Sequence, residues 1–222
     1  MRRVIDRRQL IQRCACAALG GVAWARYGSA WGQGAPLPDM KPQQVAPGCW
    51  FVEGLSALGS PANQNFISNA GFVVTSAGVV VIDALGSPAL AERLVAEIKK
   101  ITPQKITHVV LTHYHADHVY GLQVFEKLGA RIIAHQAGRE YLYADTARLR
   151  LEQSRKDLAP WIDEQTQLAA ATEWIDARRE LTVGDTRLVI QPVGPAHTPE
   201  DLALYLPDKK ALYAGDLVFR SR

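Results

Sequence analysis

A layered α/β domain is the fold class this sequence predicts, and three observations predict it. From residue 49 onward, short apolar runs of strand length alternate with segments of helical period. Gly, Pro, Asp and Ser punctuate the junctions between them. Polar groups able to ligate a metal follow directly after three of the apolar runs, and open α/β sheets bind ligands at strand ends.

Residues 1–30 read as an export signal. Arg7-Arg8-Gln9-Leu10-Ile11 sets a twin arginine ahead of apolar residues, a weakly apolar stretch runs from Cys14 to Trp24, and Gly28-Ser29-Ala30 offers small residues for cleavage. The segment resembles a twin-arginine (Tat) signal, with Asp6 and Gln12 as departures from the usual pattern. It implies a folded, periplasmic protein with no stable membrane insertion after cleavage, since the apolar run is too short for an ordinary spanning helix. Six arginines against Asp6 give residues 1–30 a net +5; the whole chain is +3, so residues 31–222 carry −2. A body so close to neutral has no basic patch for nucleic acid. Cys14 and Cys16 leave with the signal, and Cys49 alone forms no internal disulfide.

Residues 31–46, with Pro36, Pro38 and Pro42, read as a linker or N-terminal arm, and residues 47–222 as the domain. Cys49 to Val52 is a strand. Asn65 to Val74 and Val79 to Ile82 form a hairpin about Ser76-Ala77-Gly78. Ser87 caps a helix with Pro88 at its first position; Leu90, Leu94, Val95, Ile98 and Ile101 share one face, and Lys99 and Lys100 suit its negative end. Ile106 to Leu111 is a strand, Gly121 to Leu128 a short helix, Ala130 to Ala134 a strand. Residues 136–179 are densely charged and read as one or two solvated connecting helices rather than a wall over the site. Glu180 to Val193 returns to strands turning at Gly184-Asp185, and Leu202 to Leu206 with Ala211 to Tyr213 makes a hairpin about Pro207-Asp208.

The chemistry concentrates in His113-Tyr114-His115-Ala116-Asp117-His118, directly after Val109-Val110-Leu111. Three imidazoles and a carboxylate within six positions suit a borderline cation such as zinc. His113 and His115 lie two apart and can converge on one ion; Asp117 and His118 can address a second. His197 follows another apolar run in Gly194-Pro195-Ala196-His197-Thr198, and Asp216 follows Ala211 to Tyr213 in Ala214-Gly215-Asp216.

This pattern, H-x-H-x-D-H with a distant His and then an Asp, resembles the signature of the metallo-β-lactamase superfamily, from about Cys49 to the end of the chain. The resemblance implies an αββα sandwich with its C-terminal part missing. It implies that His113, His115 and His197 hold one metal, that Asp117 and His118 hold a second, and that Asp216 bridges the two. It also implies two zinc ions in the full-length protein, with iron as the alternative metal, and a metal-bound hydroxide that Asp117 helps to orient. The family's last ligand is a histidine well beyond the Asp. This chain ends at Arg222, six residues after Asp216, so the sequence is expected to be a piece of a longer protein.

The expected activity is hydrolysis of a small-molecule ester, lactone, thioester or related electrophile. The resemblance implies Cys or Ser in place of Asp216 in true metallo-β-lactamases, which puts β-lactam hydrolysis second. A mononuclear iron enzyme like persulfide dioxygenases, and a non-catalytic metal-binding accessory of a periplasmic quinoprotein system, are the other readings. A homo-oligomer is compatible with all of them. Thr112 and Thr198 are expected to fix imidazole tautomers, and Asp83 to support the metal-binding loop by hydrogen bonds. Tyr114, Tyr120, Trp161, Trp174, Cys49 and His108 are expected to pack rather than react, and so is His135, whose other reading is a metal ligand at an interface.

Overall fold

The computed structural model describes residues 39–219. The predicted signal, residues 31–38 of the predicted arm and residues 220–222 lie outside the described residues.

Seven strands form one sheet in chain order: β1 (Gln43–Ala46), β2 (Cys49–Val52), β3 (Ala70–Thr75), β4 (Gly78–Ile82), β5 (Ile106–Val110), β6 (Arg131–His135) and β7 (Glu173–Ile175). The first four pair antiparallel and the last four parallel, with β4 belonging to both sets. Every residue of β4 is buried, as a Val/Ile-rich run at the centre of a two-faced sheet requires. A second, antiparallel sheet holds β8 (Arg179–Val183), β9 (Thr186–Pro192), β10 (Leu202–Leu206) and β11 (Ala211–Tyr213), in the spatial order β11-β10-β9-β8.

Strand alternation sorts the core into two layers. Val80, Ile82, Val110 and Ile133 point toward the second sheet and meet Leu188, Ile190, Leu202 and Leu204. Val79, Val81, Val109 and Ile132 point the other way, toward α1 (Pro88–Ile101) and the short helices α2 (Ala116–Val119) and α3 (Leu122–Lys127). The architecture is the expected α/β one, with helix, sheet and sheet layers among the described residues. No helix of the described residues is long and apolar enough to cross a membrane.

Helix α1 begins as the sequence predicts. The Ser87 hydroxyl accepts from the Leu90 N–H at 3.3 Å, and Pro88 takes the first turn, where its missing N–H costs nothing. Leu90, Leu94, Val95 and Ile98 are buried, but Ile101, assigned to the same face, is 37% exposed because the helix ends there and leaves the sheet.

Four expectations need correction. Gln43–Ala46, placed in the arm, is an edge strand; its residues are exposed or half-exposed, so no apolar alternation announces it. Asn65 to Val74 is not one strand. Gln64 and Asn65 have φ of 58° and 61°, which forces turns, and pairing starts at Ala70. The charged 136–179 region holds α4 (Gly138–Leu142) and α5 (Asp145–Asp157), but also the parallel strand β7. These helices are not merely solvated connectors: Leu142, Leu151, Leu158 and Ile162 join the helix-side core.

Candidate metal centre

The site assembles because both sheets end their strands at one place. The turn after β5 carries His113, His115, Asp117 and His118, the loop after β9 carries His197, and a single 3-10 turn after β11 carries Asp216. The Leu202 N–H donates to the Thr112 carbonyl at 2.8 Å and ties the first of these loops to the second sheet. Gly215, at φ 56°, brings the chain so close that a Cβ there would lie 2.7 Å from Thr112 Cβ.

Two groups of ligand atoms result, each lying within 4.8 Å of one another: His113, His115 and His197 form one, and His113, His118 and Asp216 the other. His197 Nε2 stands 3.0 Å from His115 Nδ1, and His118 Nε2 stands 3.4 Å from Asp216 Oδ1 and 3.6 Å from Asp117 Oδ2. All six predicted residues are thus brought to one place, with Asp117 outside both tight groups and His113 common to both.

Ring orientation follows from Asp83, a buried carboxylate at φ 62°. Its Oδ1 accepts from the Thr112 N–H at 2.8 Å, and its Oδ2 lies 2.9 Å from both the Thr112 hydroxyl and His118 Nδ1. The single hydroxyl proton of Thr112 goes to Asp83, so Thr112 Oγ1 accepts from His113 Nδ1 at 2.9 Å. Both rings therefore carry a proton on Nδ1 and turn Nε2 inward. Those two Nε2 atoms are buried without a hydrogen-bond partner, as free ligand positions would be.

The electrostatics agree with a cation site. Burial, followed by the neighbouring His118 and His115, lowers His113 to about 2, so it is neutral and able to ligate. Burial and then His197 also lower His115. Burial opposes charge on His118, yet Asp83 and Asp216 outweigh it and raise this ring well above its ordinary value. Burial would raise Asp216, but His118 holds it down at about 2. Anionic oxygens thus favour positive charge beside His118 Nε2, a preference a bound cation would satisfy. Neutral imidazole nitrogens and a carboxylate are donors that suit a borderline divalent cation, so these residues fit a metal ion.

The remaining assignments sort plainly. Asp83 and Thr112 take the supporting roles expected of them. Thr198 instead binds Asp201, its N–H and hydroxyl donating to the carboxylate at 2.7 and 2.8 Å, which closes the His197 loop. Tyr114 and Tyr120 are buried in the core, and Trp174 stacks on Tyr114 at 5.9 Å. Trp161 Nε1 donates to the Pro61 carbonyl. Cys49 is a buried core thiol, His108 bonds Thr107, and His135 joins no metal group among the described residues. Two supports went unforeseen: the Ser68 hydroxyl donates to the Asp117 carbonyl, and buried Glu200 accepts from the Tyr114 N–H at 3.3 Å. Glu200 had a signal in its position three residues past His197; Ser68, far away in sequence, had none. A cleft of about 480 Å³ opens beside His118 and Asp216, between Glu53, Asn69, Tyr213 and Phe219.

Comparison with known proteins gives the same fold. A metallo-β-lactamase from Pontibacter korlensis superposes with a TM-score of 0.60 at 19% identity, covering 79% of this chain and 71% of that one. The inverting sec-alkylsulfatase Pisa1 from Pseudomonas sp. gives 0.55 at 23%, covering 76% and 30%. In sequence, the alpha subunit of 2,4-dinitroanisole O-demethylase from Nocardioides sp. (strain JS1661) is 26% identical over 143 residues, 64% of this chain and 38% of that subunit. A type 2 metallo-beta-lactamase from Elizabethkingia meningoseptica is 26% identical over 153 residues, 69% of this chain and 53% of the enzyme. The chain therefore spans from about two fifths to half the length of these curated relatives. The family model for the metallo-beta-lactamase superfamily matches residues 64–222, well over half of the sequence and all of the candidate centre, and the chain belongs to that superfamily.

Proposed function

We propose that the chain carries the metal-binding core of an exported, periplasmic hydrolase that uses a dinuclear zinc site on a small ester, lactone, thioester or related electrophile. One observation supports this reading above the others: two ligand groups share His113, and His118 and Asp216 of the second line a cleft. His113, His115 and His197 would hold one ion, and His118, Asp216 and Asp117 the other. When bound, zinc supplies a Lewis acid and a source of hydroxide near neutral pH. Asp83 and Thr112 keep the imidazole lone pairs aimed inward. Asp117, half-buried 3.6 Å from His118 Nε2, would orient the nucleophile. The cleft admits the substrate.

The purified full-length protein loaded with zinc is expected to hydrolyse a panel of generic esters and lactones, and a chelator to abolish turnover. His115→Ala should lower kcat/KM by about a hundredfold or more, as loss of a metal ligand typically does. Full activity in that variant ends the reading. Elemental analysis separates two zincs from the single iron of the dioxygenase-like alternative, and tight metal without turnover would favour the accessory-protein one. A second reading, β-lactam hydrolysis, draws on the 26% and 27% identity to two type 2 metallo-beta-lactamases; a chromogenic cephalosporin tests it.

A further inference from the structure

The cleft beside His118 and Asp216 takes its walls from both sheets, and its charged side chains are all acidic or imidazole. Strand pairing orients the first wall. Phe51 of β2 stands opposite Gly71 of β3, and a Cβ on Gly71 would collide with the Tyr213 ring of β11, so this side of the sheet faces the second one. Phe51 lies on that side, and Glu53, two residues further on, lines the cleft with it. The segment after β11 forms the second wall, with Asp216 and Phe219. The Phe219 ring meets the His197 ring edge-on at 5.8 Å. The walls thus include His118 and Asp216 of the second ligand group and touch His197 of the first.

Contacts tie the backbone at Glu53 to the metal-binding turn. Asn69 Oδ1 accepts from the Gly54 N–H at 2.9 Å, and its neighbour Ser68 donates its hydroxyl to the Asp117 carbonyl. A Cβ on Gly54 would collide with the Ser68 carbonyl, so these two segments touch. The Glu53 carboxylate itself is exposed and has no hydrogen bond or ion pair among the described residues. The other acids of the cleft are engaged: Asp83 accepts from Thr112 and His118, and Asp216 faces His118 at 3.4 Å. No lysine or arginine lines the cleft among the described residues. Lys41, two residues before β1, is paired with Asp39 at 2.6 Å.

We infer that Glu53 receives a cationic group of the substrate, a substituted ammonium above all, so that this site takes small electrophiles carrying positive charge away from the bond that breaks. The inference rests on the hydrolase reading for its kinetics but not for its binding. A carboxylate attracts an ammonium of any substitution by charge alone. Aromatic faces add to that attraction, and Phe51 and Phe219 line the same cleft. An exposed ion pair is weak in open water and strengthens where the ligand and the cleft walls exclude solvent. Asp117 and Asp216 offset part of the charge that bound metal brings, which leaves Glu53 as the uncommitted anion.

The binding test uses the zinc-loaded full-length protein, labelled with ¹⁵N, at constant ionic strength. Choline and its uncharged carbon isostere, neohexyl alcohol, share one shape, and neither has a nitrogen able to ligate zinc, so the difference between them reads charge. Choline is expected to shift the Gly54 amide signal with a Kd about fivefold below that of the isostere, the upper range for one exposed charge pair. Glu53→Gln should remove that preference. Equal Kd values for the two probes, or a preference that survives Glu53→Gln, overturns the inference. In the same protein, KM for acetylcholine should lie about fivefold below that for neohexyl acetate, and Glu53→Gln should bring the two together. Parallel rises of KM on both esters, with their ratio kept, overturn the inference. If neither ester turns over, the hydrolase reading fails, and the choline titration still decides the role of Glu53.

Discussion

A single buried carboxylate sets the state of two imidazoles. Asp83 accepts from Thr112 and from His118, and Thr112 passes the constraint on to His113. Asp83→Asn keeps the volume but puts an amide NH₂ opposite one of these donors, which favours the wrong His118 tautomer. Metal affinity should fall about 10–100-fold, the range for such supporting groups, with Thr112→Val at the lower end. Competition with a chromophoric chelator measures the affinity, and long-range ¹⁵N–¹H spectra report the tautomers. Unchanged affinity in Asp83→Asn would show that the carboxylate only braces the loop. At this scale the sequence was most informative. The six candidate positions are legible because a His/Asp cluster placed at strand ends has few structural uses. Asp83 was legible as a strand-end acid, but its twofold reach was not, since it needs the pairing of β4 with β5. The sharing of His113 was equally hidden, because spacing along a chain does not give the direction of a ring.

Elements were readable where side-chain pattern and burial coincide, and unreadable where they do not. Helix α1 announced itself through Ser87-Pro88 and its apolar face. Strand β1 did not, because an exposed edge strand has no buried face to alternate with. Strand β7 hid in a charged region for a related reason: of its three residues only Ile175 is buried. Close contact between elements depends on one glycine that the sequence did not single out. A Cβ on Gly121 would stand 2.1 Å from the Ala84 carbonyl oxygen and 2.6 Å from Ala91 Cβ, where the metal-binding turn packs on α1. Backbone atoms cannot yield as a flexible side chain can, so Gly121→Ala should cost about 1–3 kcal/mol, as overpacking does. Urea denaturation checks this: the midpoint should fall with the m-value unchanged. A neutral Gly121→Ala would mean that the turn and α1 can separate without loss.

At the scale of the whole molecule, the candidate centre links the two sheets. His113, His115, Asp117 and His118 hang from the first sheet, whereas His197 and Asp216 hang from the second, across the core that Val80, Ile82, Leu188 and Ile190 fill. A cation held by both sets would add to the apolar packing and the polar links that already join the layers, among them Leu202–Thr112, Ser76–Asp185, Arg179–Glu173 and the bonds of the Tyr213 hydroxyl to the Trp50 and Phe72 carbonyls. Metal binding should therefore appear as folding stability. At a zinc concentration about a thousandfold above Kd the gain is about 4 kcal/mol, which for a chain of this size raises Tm by about 8–16 °C. Calorimetry with and without chelator measures it. Two variants locate the cause. His197→Ala removes the one imidazole supplied by the second sheet and should abolish most of the zinc-dependent rise while barely moving the Tm of the metal-free chain. Leu94→Ala, on the buried face of α1 away from the centre, should cost the 2–5 kcal/mol of stability typical of such cavities and lower both Tm values together. If His197→Ala kept the full zinc-dependent rise, the ion would be held by the first sheet alone, and the coupling of metal to sheet packing would be absent.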